Sequence, residues 1–187
     1  MRKTCSTMRR VMPRSLVVAA LFLASLFGLV DCNSGSNCSS GGLCQCSGGD
    51  QCYLGCNGDN CNQACFSLGS RCGTVCGDNC AASCHDVGTE CSEACGSNCA
   101  LTCFSVPTCG VICGDNCQLD CHDTPQCAAR VGAGSVVTCA SYNTCIVECT
   151  GTCTVNCMNG GTPCQVTCAD GTAATQCDSG RFACGGC

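Results

Sequence analysis

Tryptophan is absent from this 187-residue chain, and beyond residue 31 lysine is absent as well. The aromatic side chains past that point are Tyr53, Phe66, Phe104, Tyr142 and Phe182, while Gly, Ser, Thr and Asn fill most of the intervals. So little apolar surface cannot by itself offset the entropy of ordering the chain. The shortage of basic residues excludes another class of work. A nucleic-acid or anionic-membrane surface needs clustered Lys and Arg to displace counterions, and only Arg71, Arg130 and Arg181 remain beyond residue 31. Catalytic signatures are missing too: there is no Gly-x-Ser-x-Gly, no His-Glu-x-x-His and no phosphate loop. An enzyme is not expected, and no cofactor is implied.

What the chain has in abundance is cysteine, 32 in all. Residues 1–31 carry the layout of a secretory signal: Arg2, Lys3, Arg9, Arg10 and Arg14 precede an uncharged run from Ser15 to Val30. A retained membrane span is the rival reading, but the run is shorter than the roughly 20 residues a bilayer requires. Removing the segment leaves twelve acidic residues against three arginines, a net charge of −9. In an exported chain this many cysteines read as a disulfide framework, each bridge contributing roughly 2–4 kcal/mol with strong non-additivity.

At the signal boundary, Leu29-Val30-Asp31-Cys32 resembles the lipobox of a bacterial lipoprotein, in which a short apolar box ends at a cysteine that is acylated after cleavage. Leu29 and Cys32 fit, Asp31 stands where a small residue is usual, and the resemblance covers residues 1–32 only. It implies lipidation at Cys32, a membrane partner through that anchor and, with Asn33 following, an outer-envelope location. Parity agrees: without Cys5 and with Cys32 acylated, 30 cysteines remain, enough for fifteen bridges.

Three segments follow: a signal at 1–31, a Ser/Gly-rich, cysteine-containing tether at 32–51 and a cysteine-rich repeat domain at 52–187. The repeat is a four-cysteine unit with spacing Cys-x3-Cys and a Gly-Asp-Asn break, as in Cys72, Cys76, Cys80 and Cys84. Units start at 52, 72, 91, 109, 127, 145 and 164, a period of 18 to 20 residues over seven copies. The copy at 127 keeps outer Cys127 and Cys139 and lacks the inner pair, and the last copy slips at Cys177.

Two local structures fit the units. Cys145-Ile-Val-Glu-Cys149, Cys153-Thr-Val-Asn-Cys157 and Cys164-Gln-Val-Thr-Cys168 put Cys, Val and Cys on one face at period two, which is strand patterning. In the first half, cysteines at i and i+4 would also share a helical face, so short helices tied in hairpins, similar to helical-hairpin antimicrobial and inhibitor peptides, stay open. The expected fold class is a small disulfide-rich repeat protein of mostly short β-strands and turns, either a hairpin array or a narrow β-solenoid.

The degenerate copy suggests inner-to-inner and outer-to-outer pairing, because losing both inner cysteines then orphans nothing. On that reading the inner bridges join Cys76 to Cys80, Cys95 to Cys99, Cys113 to Cys117 and Cys149 to Cys153. The outer bridges join Cys72 to Cys84, Cys91 to Cys103, Cys109 to Cys121, Cys127 to Cys139 and Cys145 to Cys157. Bonding across the six-residue linkers is expected to strand Cys117 and Cys149. Spacing alone leaves connectivity open.

His85 and His122 occupy the same place in alternate copies, Cys84-His85-Asp86 and Cys121-His122-Asp123. If both units lay in one solenoid turn, the histidines would stack about 4.8 Å apart and could share an ion with Asp86 and Asp123. If each unit is a coil, they sit too far apart for that. The bland alternative is an exposed linker copied by duplication. The acidic turns at Asp59, Asp78 and Asp115 offer one carboxylate each, far from a calcium shell. Thiolate metal storage is a further rival, though metallothionein-like chains use dense Cys-x-Cys clusters, and Cys44-Gln-Cys46 is the single example here. The composition therefore points to an exported structural or adhesive scaffold without catalytic activity, lipid-anchored as the resemblance at residues 29–32 implies, whose protein or glycan partner the sequence does not name. A secreted disulfide-rich effector and a thiolate metal-binding protein are the alternatives.

Overall fold

The computed structural model describes residues 36–187 with the exception of Thr162. The signal segment and Cys32 lie outside the described residues. In the unit that begins at Cys72, alternation sets the strands. Cys72, Thr74 and Cys76 turn inward while Val75 is exposed, and after the Gly-Asp-Asn break Cys80, Ala82, Cys84 and Val87 turn inward again.

Seven coils of two strands follow one another: β1 (Ser36–Cys38) and β2 (Leu43–Ser47), β3 (Gln51–Cys56) and β4 (Asn62–Leu68), β5 (Arg71–Val75) and β6 (Ala81–Val87), β7 (Glu90–Cys95) and β8 (Ala100–Phe104). The series continues with β9 (Thr108–Cys113) and β10 (Gln118–His122), β11 (Gln126–Val131) and β12 (Ser135–Ala140), β13 (Thr144–Cys149) and β14 (Cys153–Met158). β15 (Cys164–Thr167) begins an eighth coil, after which β16 (Thr175–Asp178) and β17 (Arg181–Cys184) double back.

The odd strands from β1 to β15 form one parallel sheet. The even strands from β2 to β14 form a second, extended by β17 and β16 in antiparallel sense. From β1 to β15, consecutive strands thus belong to opposite sheets and like strands of neighbouring coils pair. The molecule is a narrow β-solenoid, and no helix occurs among the described residues. Register keeps like on like: Cys72 pairs Cys91 in one sheet, and Cys84 pairs Cys103 in the other.

The interior is two side chains deep. Central inward positions of one sheet carry Leu54, Thr74, Glu93, Val111, Ala129 and Val147, facing Gln63, Ala82, Leu101, Leu119, Val137 and Val155 of the other. Cysteines occupy the flanking inward positions near both edges. Fifteen disulfides join them, with Cα atoms 5.6–6.6 Å apart, inside the range a bridge requires. Such a framework belongs to an oxidising, extracellular-type environment.

Thirteen of these bridges obey one rule: from Cys38 to Cys164, each cysteine bonds its neighbour in sequence. Cys76–Cys80, Cys95–Cys99, Cys113–Cys117 and Cys149–Cys153 staple the Gly-Asp-Asn side. The outer cysteines depart from expectation. Cys72 bonds Cys65, Cys84 bonds Cys91, Cys103 bonds Cys109, Cys121 bonds Cys127, Cys139 bonds Cys145 and Cys157 bonds Cys164. Cys84 lies within β6 at the edge where both Cys72 and Cys91 lie on the facing sheet, one strand spacing apart, and the bridge forms to Cys91. Linker bridges and inner bridges coexist, so Cys117 and Cys149 are not stranded; they bond Cys113 and Cys153.

Two further differences concern the ends. Residues 36–47, expected as tether, make the first coil: β1 pairs β3, β2 pairs β4, and Cys38–Cys44 and Cys46–Cys52 close its edges. Cys44-Gln-Cys46 is a strand with both sulfurs inward, a period-two signal masked by the surrounding Ser and Gly. At the other end, Cys168–Cys184 and Cys177–Cys187 tie down the antiparallel cap, which is why the last copy loses its spacing.

Left-handed residues make both turns. Asn60, Asn79, Asn98 and Asn116 hold φ between 56° and 60°, and Ser67, Asp86, Ser105, Asp123 and Ser141 hold φ between 51° and 56°. Turns stack so closely that a Cβ on Gly88 would overlap the Gly69 carbonyl. In the degenerate coil, buried Val131 and Ser135 replace an inner pair, and Ser135 Oγ accepts from the Cys117 N–H at 3.0 Å and donates to Gly114 O at 3.3 Å.

Mass mapping of the oxidised chain is expected to find Cys84 linked to Cys91 and Cys65 to Cys72; a Cys72–Cys84 link would exclude this register. The double variant Cys113→Val/Cys117→Ser, which copies the Val131/Ser135 coil, should retain fourteen bridges and lose about 2 kcal/mol in denaturant unfolding. Cys113→Ser alone leaves Cys117 free to exchange and should yield mixed bridges on the same map.

Candidate functional site

Sequence reasoning singled out His85 and His122. The structure places them on β6 and β10, two coils apart on the outer face of the even-strand sheet, with Phe104 of β8 between them. Phe66, His85, Phe104 and His122 form a continuous ladder, with centroid separations of 5.4, 4.5 and 4.9 Å and planes within 7° of parallel. Each step matches the strand spacing, so the ladder follows from register. An ion shared by the two imidazoles is ruled out by the intervening ring, because zinc-type bonds span only about 2.0–2.2 Å. Asp86 and Asp123 take left-handed turn positions. His85 Nδ1 lies 2.8 Å from Asp86 Oδ2, whereas His122 Nδ1 is nearer Asp120 Oδ2, at 3.4 Å.

The acidic turns are structural as well. The Asp78 N–H donates to Asp59 Oδ1 at 2.8 Å, the Ser97 N–H to Asp78 Oδ1 at 2.7 Å and the Ala133 N–H to Asp115 Oδ1 at 2.7 Å. Each of these carboxylates caps the next coil's turn. Sulfur triplets such as Cys76, Cys80 and Cys95 lie within 4.8 Å of one another, but each contains a bonded pair plus one sulfur that is itself bridged elsewhere. A bridged sulfur offers no thiolate.

Glu93 belongs to no motif that marks it in the sequence. It points inward from β7, is 2% exposed, and neither carboxylate oxygen has a hydrogen-bond partner. Burial pushes its carboxyl well above the ordinary range, so it is neutral in the folded chain near its usual pKa. The signal was there in Cys91-Ser-Glu-Ala-Cys95, since parity puts Glu93 on the cysteine face. Two coils away the buried Gln63 donates through Nε2 to Leu54 O and Val75 O, each at 3.2 Å.

The surface of the described residues offers open grooves. One, of about 880 Å³, runs over the odd-strand sheet between Tyr53 and Ile146, where Gly73, Ser92, Gly110 and Ala128 form a low floor. A second, about 640 Å³, lies beyond His122 on the opposite sheet. All three arginines of the described residues are paired and exposed: Arg71 with Glu90 at 3.6 Å, Arg130 with Glu148 at 3.4 Å and Arg181 with Asp178 at 3.1 Å. Exposed pairs of this kind contribute little stability. Comparison with protein-family models, with curated proteins and with solved structures finds no match.

Glu93 sets a pH dependence. Its folded pKa is raised, so between the ordinary carboxylate range and that raised value the native chain holds a proton the unfolded chain has lost, and stability falls as pH rises. Denaturant midpoints of the oxidised chain should therefore decline above about pH 4.5. Glu93→Leu should flatten that decline and gain about 1–3 kcal/mol at neutral pH. A Glu93→Leu midpoint with an unchanged slope against pH would assign the decline to other groups. For the histidines, zinc titration of wild type, His85→Ala and His122→Ala should show equal, negligible uptake.

Proposed function

We propose that the mature chain is an exported, lipid-anchored structural or adhesive scaffold of a bacterial cell envelope, without catalytic activity. The observation that carries this reading is the closed sulfur framework: every cysteine from Cys38 onward is bridged, so the described coils hold no free thiol for chemistry or metal storage. Seven coils at the strand spacing make a stiff rod of roughly 35 Å. Its faces mix hydroxyl, amide and acidic side chains with exposed Tyr53, Val75, Ile112 and Ile146 on the odd-strand sheet, its arginines are paired, and its turns are short and stapled. Such a body stays soluble and resists proteolysis, because local opening must break a hydrogen-bonded ladder on both sides of a stapled coil. The resemblance at residues 29–32 supplies the anchor: acylated Cys32 would hold the rod to a membrane through the segment ahead of β1.

Intact mass of the native mature protein, with and without alkylation, tests the reading. Fifteen bridges, no alkylated thiol and an acyl increment lost in Cys32→Ser are expected, together with release of that variant from the membrane fraction. Several free thiols with bound metal would make the protein a metal sink instead. Recovery only as short excised fragments would make it an effector precursor.

A further inference from the structure

The aromatic ladder on the even-strand sheet stops one ring short of its wall. Its column runs Ser47, Phe66, His85, Phe104, His122, Ala140, Met158, one residue per coil in register. Rings fill the four places from Phe66 to His122; Ala140 leaves the next one open, and Met158, 47% exposed, closes the far side. His122 and Met158 are two strand spacings apart, about 9.6 Å. One planar ring placed midway would sit about 4.8 Å from each wall, the spacing the ladder already uses, and Met sulfur packs favourably on an aromatic ring at about 5 Å. At the opposite end, Phe66 faces Ser47 of β2, the last strand of the sheet, so no second wall exists there. The gap lies in the 640 Å³ groove, whose one carboxylate is Asp120 and which contains no Lys or Arg.

We propose that the slot over Ala140 binds a planar aromatic amine: its ring takes the vacant place between His122 and Met158 and its ammonium pairs with Asp120. Ring stacking gives the orientation and the acidic groove gives the sign of charge. This goes beyond the scaffold reading, which assigns the rod no ligand.

Tryptamine titrated into the full mature, oxidised chain, followed by the Met158 methyl and His122 ring proton signals, tests it. Both signals should shift with one saturable isotherm. Indole-3-acetate, with the same ring and opposite charge, and the non-aromatic cyclohexylamine should each bind about fivefold more weakly or worse. Ala140→Phe fills the slot and should abolish the shifts while mass mapping still finds fifteen bridges. Asp120→Asn leaves the column intact and should erase the preference for tryptamine over indole-3-acetate. Absence of shifts at Met158 and His122, equal binding by Ala140→Phe, or an unchanged preference in Asp120→Asn would each overturn the assignment.

Discussion

Pairing of each cysteine with its neighbour in sequence is the constraint on which the rest of the molecule depends. Each bridge closes a turn between an odd strand and an even strand, so the two sheets are held together at both edges of nearly every coil. Short loops of this kind remove only modest chain entropy apiece. Their effect is to fix the thickness of the rod, which an interior two side chains deep could not do by apolar burial. The linker bridges, such as Cys84–Cys91, also tie one coil to the next, but at a single edge. Coil is held to coil by parallel backbone ladders, by stacked turns and by aspartate side chains that accept from the coil above. Covalent closure at the edges and hydrogen bonding along the axis act together, and each compensates for what the other lacks.

That division explains which irregularities the array tolerates. The coil of β11 and β12 gives up one staple and substitutes Val131 and Ser135, with the Ser135 hydroxyl satisfied by Cys117 N–H and Gly114 O. Because the missing bridge is a complete pair, no sulfur is left behind. Glu93 is a different sort of exception: it stands in the central inward column, flanked by Thr74 and Val111, with no partner for its oxygens. A neutral acid in that place is tolerable where strands above and below are stapled, and it is the point at which the interior responds to pH.

Much of the architecture was legible in spacing. Cys-x3-Cys with a valine between, as at Cys145, Val147 and Cys149, declares a strand with three inward residues, and the 18-to-20-residue period is one circuit of the solenoid. The coil before Cys52 was not legible, because Ser and Gly around Cys38 and Cys44 look like a linker until β1 and β2 are seen to extend the sheets. The partner of Cys84 was not legible either. Cys72 and Cys91 differ by one strand spacing, and a parity argument on Cys127 and Cys139 is satisfied equally by both schemes. The alternation of Phe66, His85, Phe104 and His122 was visible as a pattern, while its consequence, a stacked column with a vacancy at Ala140, depended on the length of one coil.

By itself the sequence determined the repeat, the inward face of each strand and the need for sulfur in place of an oily interior, since these are properties of local periodicity and composition. Only the tertiary structure decided which sheet each strand joins, which of the two candidate cysteines takes the bond, and that the histidines and phenylalanines stack in one column. The reason is geometric. Local alternation determines which way a side chain points, but the rung of the ladder on which it lands is a sum over the whole circuit, and a shift of one rung leaves every local pattern unchanged.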